Sequence, residues 1–431
     1  MHKQGGNNLA LTKTIKKRDN SLVEFKLEKV TNAISKAGKE TGEFNSEESE
    51  VLAQDVLEAL SKSNNGENEL SVEYVQDIVE MVLLNSKYKA AAKAYILYRE
   101  KRSQERKPNI FKSRVNLKPY EYPQLNEYKE AIQHSYWLHT EFNYTSDIHD
   151  YKVNISDKER NVIKNAMLAI SQVEVAVKNF WGDLHNRMPK PEVGAVGATF
   201  GESEVRHSDA YSHLLEILGL NDEFEKIQEI PALSKRVNSL TRAVKYLKTE
   251  SNKDFTLSLI LFSLFIEHVS LFSQFLIIMS FNKYKNLFKG MSNAIEATSK
   301  EEQLHGMFGI ELVGIIRNEN PEWFDEELSN KVYEACKNTF ESEVSVVDWI
   351  FEDGDLDFLP KEVVIEFIKN RLNNSLKSTG FEPIFEINEE LVDQTDWFTD
   401  ELESTKHVDF FDKRSVNYTK RTKSIGVEDL F

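Results

Sequence analysis

The sequence predicts a mainly α-helical protein in which the helices of a bundle hold two metal ions. Two Glu-x-x-His motifs occur in strongly helical segments, and a lone glutamate in an apolar helical segment precedes each motif. A di-metal carboxylate bundle uses this set, with one glutamate from each of two helices and a Glu-x-x-His pair from each of the other two. In chain order the six candidate ligands are Glu174, Glu204, His207, Glu267, Glu302 and His305.

The spacing within each motif suits a shared site. Residues at positions i and i+3 of a helix lie on the same face, so the glutamate and the histidine of one motif can bind together. Four carboxylates can bridge and balance two cations while two imidazoles complete their coordination. This donor set suits manganese or iron rather than a metal that prefers thiolates.

A single Glu-x-x-His motif also has a simpler interpretation. Charged residues are mostly exposed, so in a glutamate-rich chain the motif can mark only a solvated helix face. Glu267 weighs against that interpretation, because it lies within the apolar run FSLFIEHVSLF (262–272). A carboxylate buried there without a partner would cost several kcal/mol, so a metal partner is the better explanation.

Composition limits the class of protein. The chain has 431 residues, of which 40% are hydrophobic and 29% charged, as expected of a soluble globular protein with one large and one smaller domain. The formal net charge of -17 argues against non-specific nucleic-acid binding. Cys336 is the single cysteine, which excludes an internal disulfide, a C-x-x-C pair and a thiolate zinc site and favours a reducing cytoplasm.

Two segments could be mistaken for membrane or export signals. The first ten residues, MHKQGGNNLA, lack the apolar core of a signal peptide. The apolar stretch Leu257–Met279 is interrupted by serines, Glu267, His268 and Gln274, which predicts a buried bundle helix rather than a membrane span.

Changes of pattern divide the chain into five parts. Two short strand-like runs around an Asp-Asn turn precede four helical patterns in the N-terminal block, and three prolines mark the segment after it. Further on, Ser156 and Glu159 form a capping box that predicts the start of a long helix leading to Glu174. The predicted parts are a disordered N-terminus (1–11), a compact block (12–104), a linker (105–125), a helical domain (126–398) and a flexible tail (399–431).

At the candidate ligands the chain resembles the small, radical-generating subunit of class I ribonucleotide reductase. The resembling text is GESEVRHSDAY (201–211), FIEHVSLF (265–272) and SKEEQLH (299–305), with YWLHTEFNYTSDIHDY (136–151) upstream. The resemblance covers roughly 126–400. It implies a ferritin-like di-metal helical bundle with the six candidates as its ligands.

The resemblance also implies roles for residues outside the ligand set. Tyr211 is placed where many members hold a stable tyrosyl radical, and Trp137 and Glu301 on the route that carries the radical to the surface. Tyr418 in the tail would be the next relay, and residues 428–431 would dock into the large subunit. The plainer alternatives are that Trp137 and Tyr211 are core aromatics and that Tyr418 is an ordinary tail residue.

Two residues depart from the commonest members of that family. Glu174 and Glu301 stand where those members carry aspartate. A glutamate as first ligand resembles the subclass with a dimanganese centre, in which the oxidised metal pair stores the radical equivalent and the tyrosine is not oxidised. Two manganese ions are therefore the preferred cofactor and two iron ions the alternative, and the role of Tyr211 stays open.

The N-terminal block resembles an ATP-cone, a small α/β regulatory domain built from a short β-hairpin and helices. The resembling text is KKRDNSLVEFKLEKVTNAI (16–34), VQDIVE (75–80) and AKAYILYREKR (92–102). Clustered cations in an acidic chain suit a triphosphate, although each of them alone can be a solvated surface residue. The candidate nucleotide contacts are Lys16, Lys17, Arg18, Lys29, Lys101 and Arg102.

Such a cone usually belongs to the large catalytic subunit, but a chain with one cysteine cannot supply the thiyl and the dithiol that ribonucleotide reduction needs. We therefore expect ATP and dATP, bound with Mg, to regulate the metal subunit. ATP would permit the active complex with the large subunit, and dATP would drive the homodimer into a higher homo-oligomer such as a tetramer. Rival functions are a di-metal oxidase or monooxygenase acting on a small lipid, and a nucleotide sensor or metal-storage protein.

Overall fold

The computed structural model describes residues 14–17, 22–63, 70–106, 108–114, 116–177, 179–245 and 249–403. Within these ranges the side chains of residues 63, 104–106, 174–177, 179, 243 and 403 are not described. The chain forms two compact units, Met1–Pro108 and Asn109–Phe431. The predicted disordered N-terminus (1–11) and residues 404–431 of the predicted tail lie outside the described residues.

The first unit contains a β-hairpin followed by helices, which confirms the predicted small α/β arrangement. Strands β1 (Thr14–Lys16) and β2 (Leu22–Glu24) pair antiparallel, with Ile15 opposite Val23. Apolar helix faces enclose a core of their own, which includes Ile34, Leu60 and Leu83. The described helices are α1 (Leu27–Thr41), α2 (Ser46–Ser63), α3 (Val72–Asn85) and α4 (Lys89–Arg106).

The second unit is mainly helical, as predicted. Its helices before the long apolar run are α5 (Pro123–His134), α6 (Thr145–His149), α7 (Asp157–Val177), α8 (Asn179–Arg187), α9 (Pro191–Leu218), α10 (Asn221–Glu225) and α11 (Pro231–Ala243). Those from the run onward are α12 (Asn252–Leu261), α13 (Phe272–Lys285), α14 (Lys289–Glu319), α15 (Glu326–Ile350), α16 (Lys361–Ser378), α17 (Glu389–Val392) and α18 (Asp396–Glu403).

The predicted capping box at the start of α7 is confirmed. The backbone N–H of Ser156 donates to Glu159 Oε2 at 2.9 Å, and the backbone N–H of Glu159 donates to Ser156 Oγ at 3.3 Å. Two backbone donors that a helix start leaves unpaired are satisfied in this way. The capping box therefore fixes where the helix that carries Glu174 begins.

The long apolar run is the centre of the second unit. Segment Asn252–Lys285 is long and apolar enough to cross a membrane, but 94% of its most apolar window is buried inside the protein. This agrees with the prediction of a buried bundle helix. The run is not a continuous α-helix, because residues Phe262–Ser270 between α12 and α13 form a π-helical segment.

The predicted linker is packed over much of its length. Ile110 is fully buried and Tyr122 is 5% exposed, and both belong to the core of the second unit. The Tyr122 hydroxyl donates to Glu319 Oε1 at 2.5 Å, and Arg114 Nη2 donates to Glu192 Oε2 at 3.0 Å. The limits 105–125 of a linker stay a prediction, while residues from Asn109 onward belong to the second unit.

Helix α14 lies against the π-helical segment through glycines. A Cβ atom at Gly306 would lie 3.4 Å from His268 Cβ, and one at Gly309 would overlap the side chain of Ser263. Glycine therefore permits a close backbone approach between two elements that both carry candidate ligands.

We expect Gly309→Ala to destabilise the second unit, because the new methyl group overlaps Ser263. Overpacking of this kind typically costs about 1–3 kcal/mol, and thermal and urea unfolding would measure it. Gly314→Ala is the matched control on the same helix, since a Cβ there meets nothing within 4 Å. It should stabilise α14 by up to about 1 kcal/mol. Equal effects of the two variants would show that the close approach at Gly309 is not needed.

Candidate metal centre

Three elements of the second unit bring five of the six predicted ligand side chains together. Helix α9 carries Glu204 and His207, the π-helical segment carries Glu267, and helix α14 carries the last two. Each of the five side chains is at most 2% exposed. Glu174 lies on α7, but its side chain is outside the described part of the structure. The clustered residues are Glu204, His207, Glu267, Glu302 and His305.

The distances define one compact cluster. Ligand atoms of Glu204, Glu267, Glu302 and His305 all lie within 4.8 Å of one another. His305 Nδ1 is 3.1 Å from Glu204 and 3.3 Å from Glu302. On the other side His207 Nδ1 is 3.0 Å from Glu302. Glu302 thus faces both imidazoles, the position of a carboxylate that can bridge two cations.

Burial and mutual charge shift the ionisation of these groups. Burial alone lowers the pKa of His207 and of His305, but nearby carboxylates outweigh it and raise both values well above the ordinary range. Burial, with the charge of Glu302 next in size, raises the pKa of Glu267 well above its usual value. Burial also opposes ionisation of Glu302, yet its two histidine neighbours lower its pKa.

The donor set fits a di-metal cofactor. Several buried atoms that face the cluster make no well-aligned hydrogen bond to a described residue, although buried polar atoms are normally paired. Carboxylate and imidazole donors suit manganese and iron. These buried acceptors are both oxygens of Glu204, Oε1 of Glu302, and Nδ1 of His207 and of His305.

Neighbouring side chains orient the ligands from outside. Trp181 Nε1 donates to Glu267 Oε1 at 3.1 Å, and Ser203 Oγ lies 2.9 Å from His305 Nε2. Glu301 Oε2 lies 2.8 Å from His207 Nε2. Such partners fix the orientation of metal-binding imidazoles. The sequence analysis missed Trp181 and Ser203; Ser203 adjoins a motif, but no sequence signal marks Trp181.

The predicted transfer residues differ in their placement. Trp137 is 6% exposed and its ring stacks on His207, with ring centroids 5.9 Å apart and planes 15° apart. Glu301 is in contact with the same histidine, so both residues adjoin the cluster. Tyr211 is 2% exposed on α9, one helical turn after His207. Tyr418 and residues 428–431 lie outside the described residues.

The first unit contains a cavity of about 180 Å³ beside its hairpin. Of the candidate nucleotide contacts, Lys17 and Lys29 line it. Lys26 and Gln76 are lining residues that the sequence analysis did not name. The other candidates differ in placement: Lys101 and Arg102 are exposed on α4 and do not line this cavity, Lys16 lies in β1, and Arg18 is outside the described residues.

Known proteins similar to this chain include reductase subunits. A probable ribonucleoside-diphosphate reductase small subunit of Invertebrate iridescent virus 3 is 26% identical over 326 residues, covering 72% of this chain and 86% of that protein. The R2 subunit from Clostridium botulinum superposes with a TM-score of 0.62 at 17% identity, covering 68% of this chain and 94% of that one. Dimanganese(II)-NrdF of Streptococcus sanguinis gives 0.57 at 17% identity and covers 65% and 97%.

Two family descriptions match separate parts of the chain. "ATP cone domain" matches residues 13–104, which contain the hairpin and the cavity. "Ribonucleotide reductase, small chain" matches residues 114–391, which contain all six candidate ligands. The chain therefore belongs to the ribonucleotide reductase small-chain family and carries an ATP-cone domain.

Proposed function

We propose that this chain is the radical-generating small subunit of a class I ribonucleotide reductase. The observation that carries the proposal is the buried cluster of carboxylates and imidazoles on α9, α14 and the π-helical segment of a small-chain family member. A bound pair of redox-active metal ions would supply the oxidising equivalent. The partner is the large catalytic subunit, whose cysteine uses that equivalent to start reduction of ribonucleotides to deoxyribonucleotides.

The side chains of this chain would hold the metal ions and carry electrons. They would not react with the substrate themselves. We assign Glu174 and the five clustered residues as metal ligands, with Glu301 holding the imidazole of His207. Trp137, stacked on that imidazole, would be the residue of the route beside the cluster, and it would receive an electron from the tail. Tyr418 would be the tail residue that supplies it, in turn drawing on the cysteine of the large subunit.

Manganese is the metal we propose. Glu174 and Glu301 replace the aspartates of the commonest members, and one solved relative is named as a dimanganese(II) protein. If the metal pair itself stores the oxidising equivalent, Tyr211 is a buried core aromatic without a redox role.

We expect protein purified from its native host to contain a manganese pair and to give a metal-centred EPR signal without a tyrosyl doublet. Tyr211→Phe should keep both the signal and the activity with the large subunit, because the phenol carries no radical. Trp137→Phe should keep the signal and lose the activity. Iron with a tyrosyl doublet, together with an inactive Tyr211→Phe variant, would contradict the manganese assignment.

The role of Tyr418 is tested by its own variant. Tyr418→Phe should retain the metal centre, measured by metal content and EPR, and should lose activity with the large subunit because the ring can no longer relay an electron through its phenol. Tyr284→Phe changes a tyrosine that is 46% exposed on α13 and serves as the control. Full activity of Tyr418→Phe would remove this residue from the route.

The ATP-cone would make this subunit the target of ATP and dATP. A ligand shifts the balance between two assemblies only if it binds one of them more tightly. We propose that ATP favours the homodimer that pairs with the large subunit and that dATP favours a higher homo-oligomer such as a tetramer. Lys17 and Lys29 at the cavity support an anionic ligand there.

Sedimentation with ATP, with dATP and without nucleotide tests this control. We expect a larger species with dATP only. Lys29→Glu should abolish that response because it places a negative charge at the cavity, whereas Lys36→Glu changes an exposed residue on the same helix and should preserve it. The same species in all three conditions would refute control through assembly.

The two rival functions are less well supported. A lipid oxidase or a metal store needs no nucleotide-binding domain, so the ATP-cone match argues against both. The small-chain family match argues against a nucleotide sensor that works without a catalytic partner. We propose a cytoplasmic location, which the single cysteine supports because it leaves no disulfide to form within the chain.

A further inference from the structure

Arg206 connects the cluster to its transfer residues, and nothing in the sequence pattern marked it. It precedes His207 on α9 and is 4% exposed. Its Nη1 donates to both oxygens of Glu301 at 3.2 Å, and its Nη2 donates to Glu301 Oε1 at 3.2 Å. Its Nε donates to Glu202 at 3.0 Å. The guanidinium therefore pairs with two carboxylates at once through a fixed planar set of donors, which a lysine ammonium does not have.

The same guanidinium contacts two aromatic residues, one of which is Trp137 of the proposed transfer route. It lies over the ring of Tyr136 at 4.6 Å and over that of Trp137 at 5.7 Å from the centroids. Its Nη1 also donates to the Trp137 carbonyl oxygen at 3.4 Å. Tyr136 is 53% exposed and covers Arg206 from the solvent side. Arg206 thus touches both the backbone and the ring face of Trp137.

Trp137 depends on these contacts for its position because its indole N–H makes no hydrogen bond to a described residue. Its Nε1 is buried and has no hydrogen-bond partner among the described residues. The carboxylate of Glu301 is directed to His207 and Arg206 instead. The indole is therefore located by its stacking on His207, by an edge contact with Phe142 and by its contacts with Arg206.

We propose that Arg206 is a positioning residue of the transfer route. It holds Glu301 against His207 and holds Trp137 over the same imidazole, so that one side chain fixes both neighbours of the metal ligand. This inference rests on the proposed function. It predicts that the loss of Arg206 slows transfer to the partner without emptying the metal centre.

The test compares Arg206→Met, Arg206→Lys and a control in the full chain with the large subunit. Small misplacements of reacting groups can cost about 100-fold in rate, and we expect a loss of kcat of that order in Arg206→Met. Metal content, the yield of the oxidised EPR signal and the Kd for the large subunit should stay within about twofold of wild type. Arg206→Lys should recover part of kcat because it keeps the positive charge and N–H donors but not the planar fork.

Arg187→Met is the matched control. Arg187 is half-buried, bonds to Asn252 and lies over Phe255, so its loss reports the general effect of removing a packed arginine. We expect a lower melting temperature and an unchanged kcat. If Arg187→Met lowered kcat as much as Arg206→Met, the effect would be general destabilisation and the inference would be wrong.

A double-mutant cycle separates positioning from a structural role. Arg206→Met and Glu301→Gln should be non-additive both in kcat and in melting temperature, since residues in one network couple. Additive losses, full activity of Arg206→Met, or a lost metal signal in that variant would each overturn the inference. Wild-type protein that is inactive with the large subunit would instead refute the proposed function.

Discussion

The burial of four acidic side chains and two imidazoles in the middle of an apolar bundle is the constraint on which the second unit depends. Glu204, Glu267, Glu301, Glu302 and both histidines are at most 2% exposed. An isolated charge in such surroundings is strongly unfavourable, so these groups are stable there only as a set. Each histidine faces at least two carboxylates, and Glu302 faces both histidines. The removal of one member would leave another as a buried charge without compensation.

That constraint explains the close packing around the cluster. Helix α14 can approach the π-helical segment because Gly306 and Gly309 lack side chains. The approach brings Glu302 and His305 to Glu267, with 3.4 Å between His305 Nδ1 and the Glu267 carboxylate. A π-helical turn inserts a residue into an α-helix and is frequent at functional sites. Here it belongs to the helix that must present a carboxylate inside an otherwise apolar face.

The sequence indicated the candidate ligands but not the backbone that presents them. The i, i+3 motifs and the apolar stripes predicted the helices and their inward carboxylates, because both depend on local periodicity. The π-helical segment could not be predicted, since its apolar residues fit an α-helix equally well. Arg206, Trp181 and Ser203 were missed for a related reason: each acts on a residue far away in sequence, as Trp181 does on Glu267. The packing of Ile110 and Tyr122 was hidden by the three prolines and the charges of 105–125, which usually indicate a linker.

The contacts made by the segment that follows the ATP-cone are relevant to how nucleotide binding could regulate this subunit. Residues of the segment after the cone are hydrogen-bonded to α9 and α14, two of the helices that carry candidate ligands. Glu192, in the first turn of α9, accepts the backbone N–H groups of Glu121 and Tyr122 at 2.8 and 3.0 Å. Glu319, at the end of α14, accepts the backbone N–H of Ile110 at 2.7 Å. To pull this segment away would expose the buried carboxylate of Glu192 and would remove the hydrogen bond to the half-buried carboxylate of Glu319, which is costly. The proposed control, in which ATP and dATP change how whole subunits associate, would leave those contacts intact.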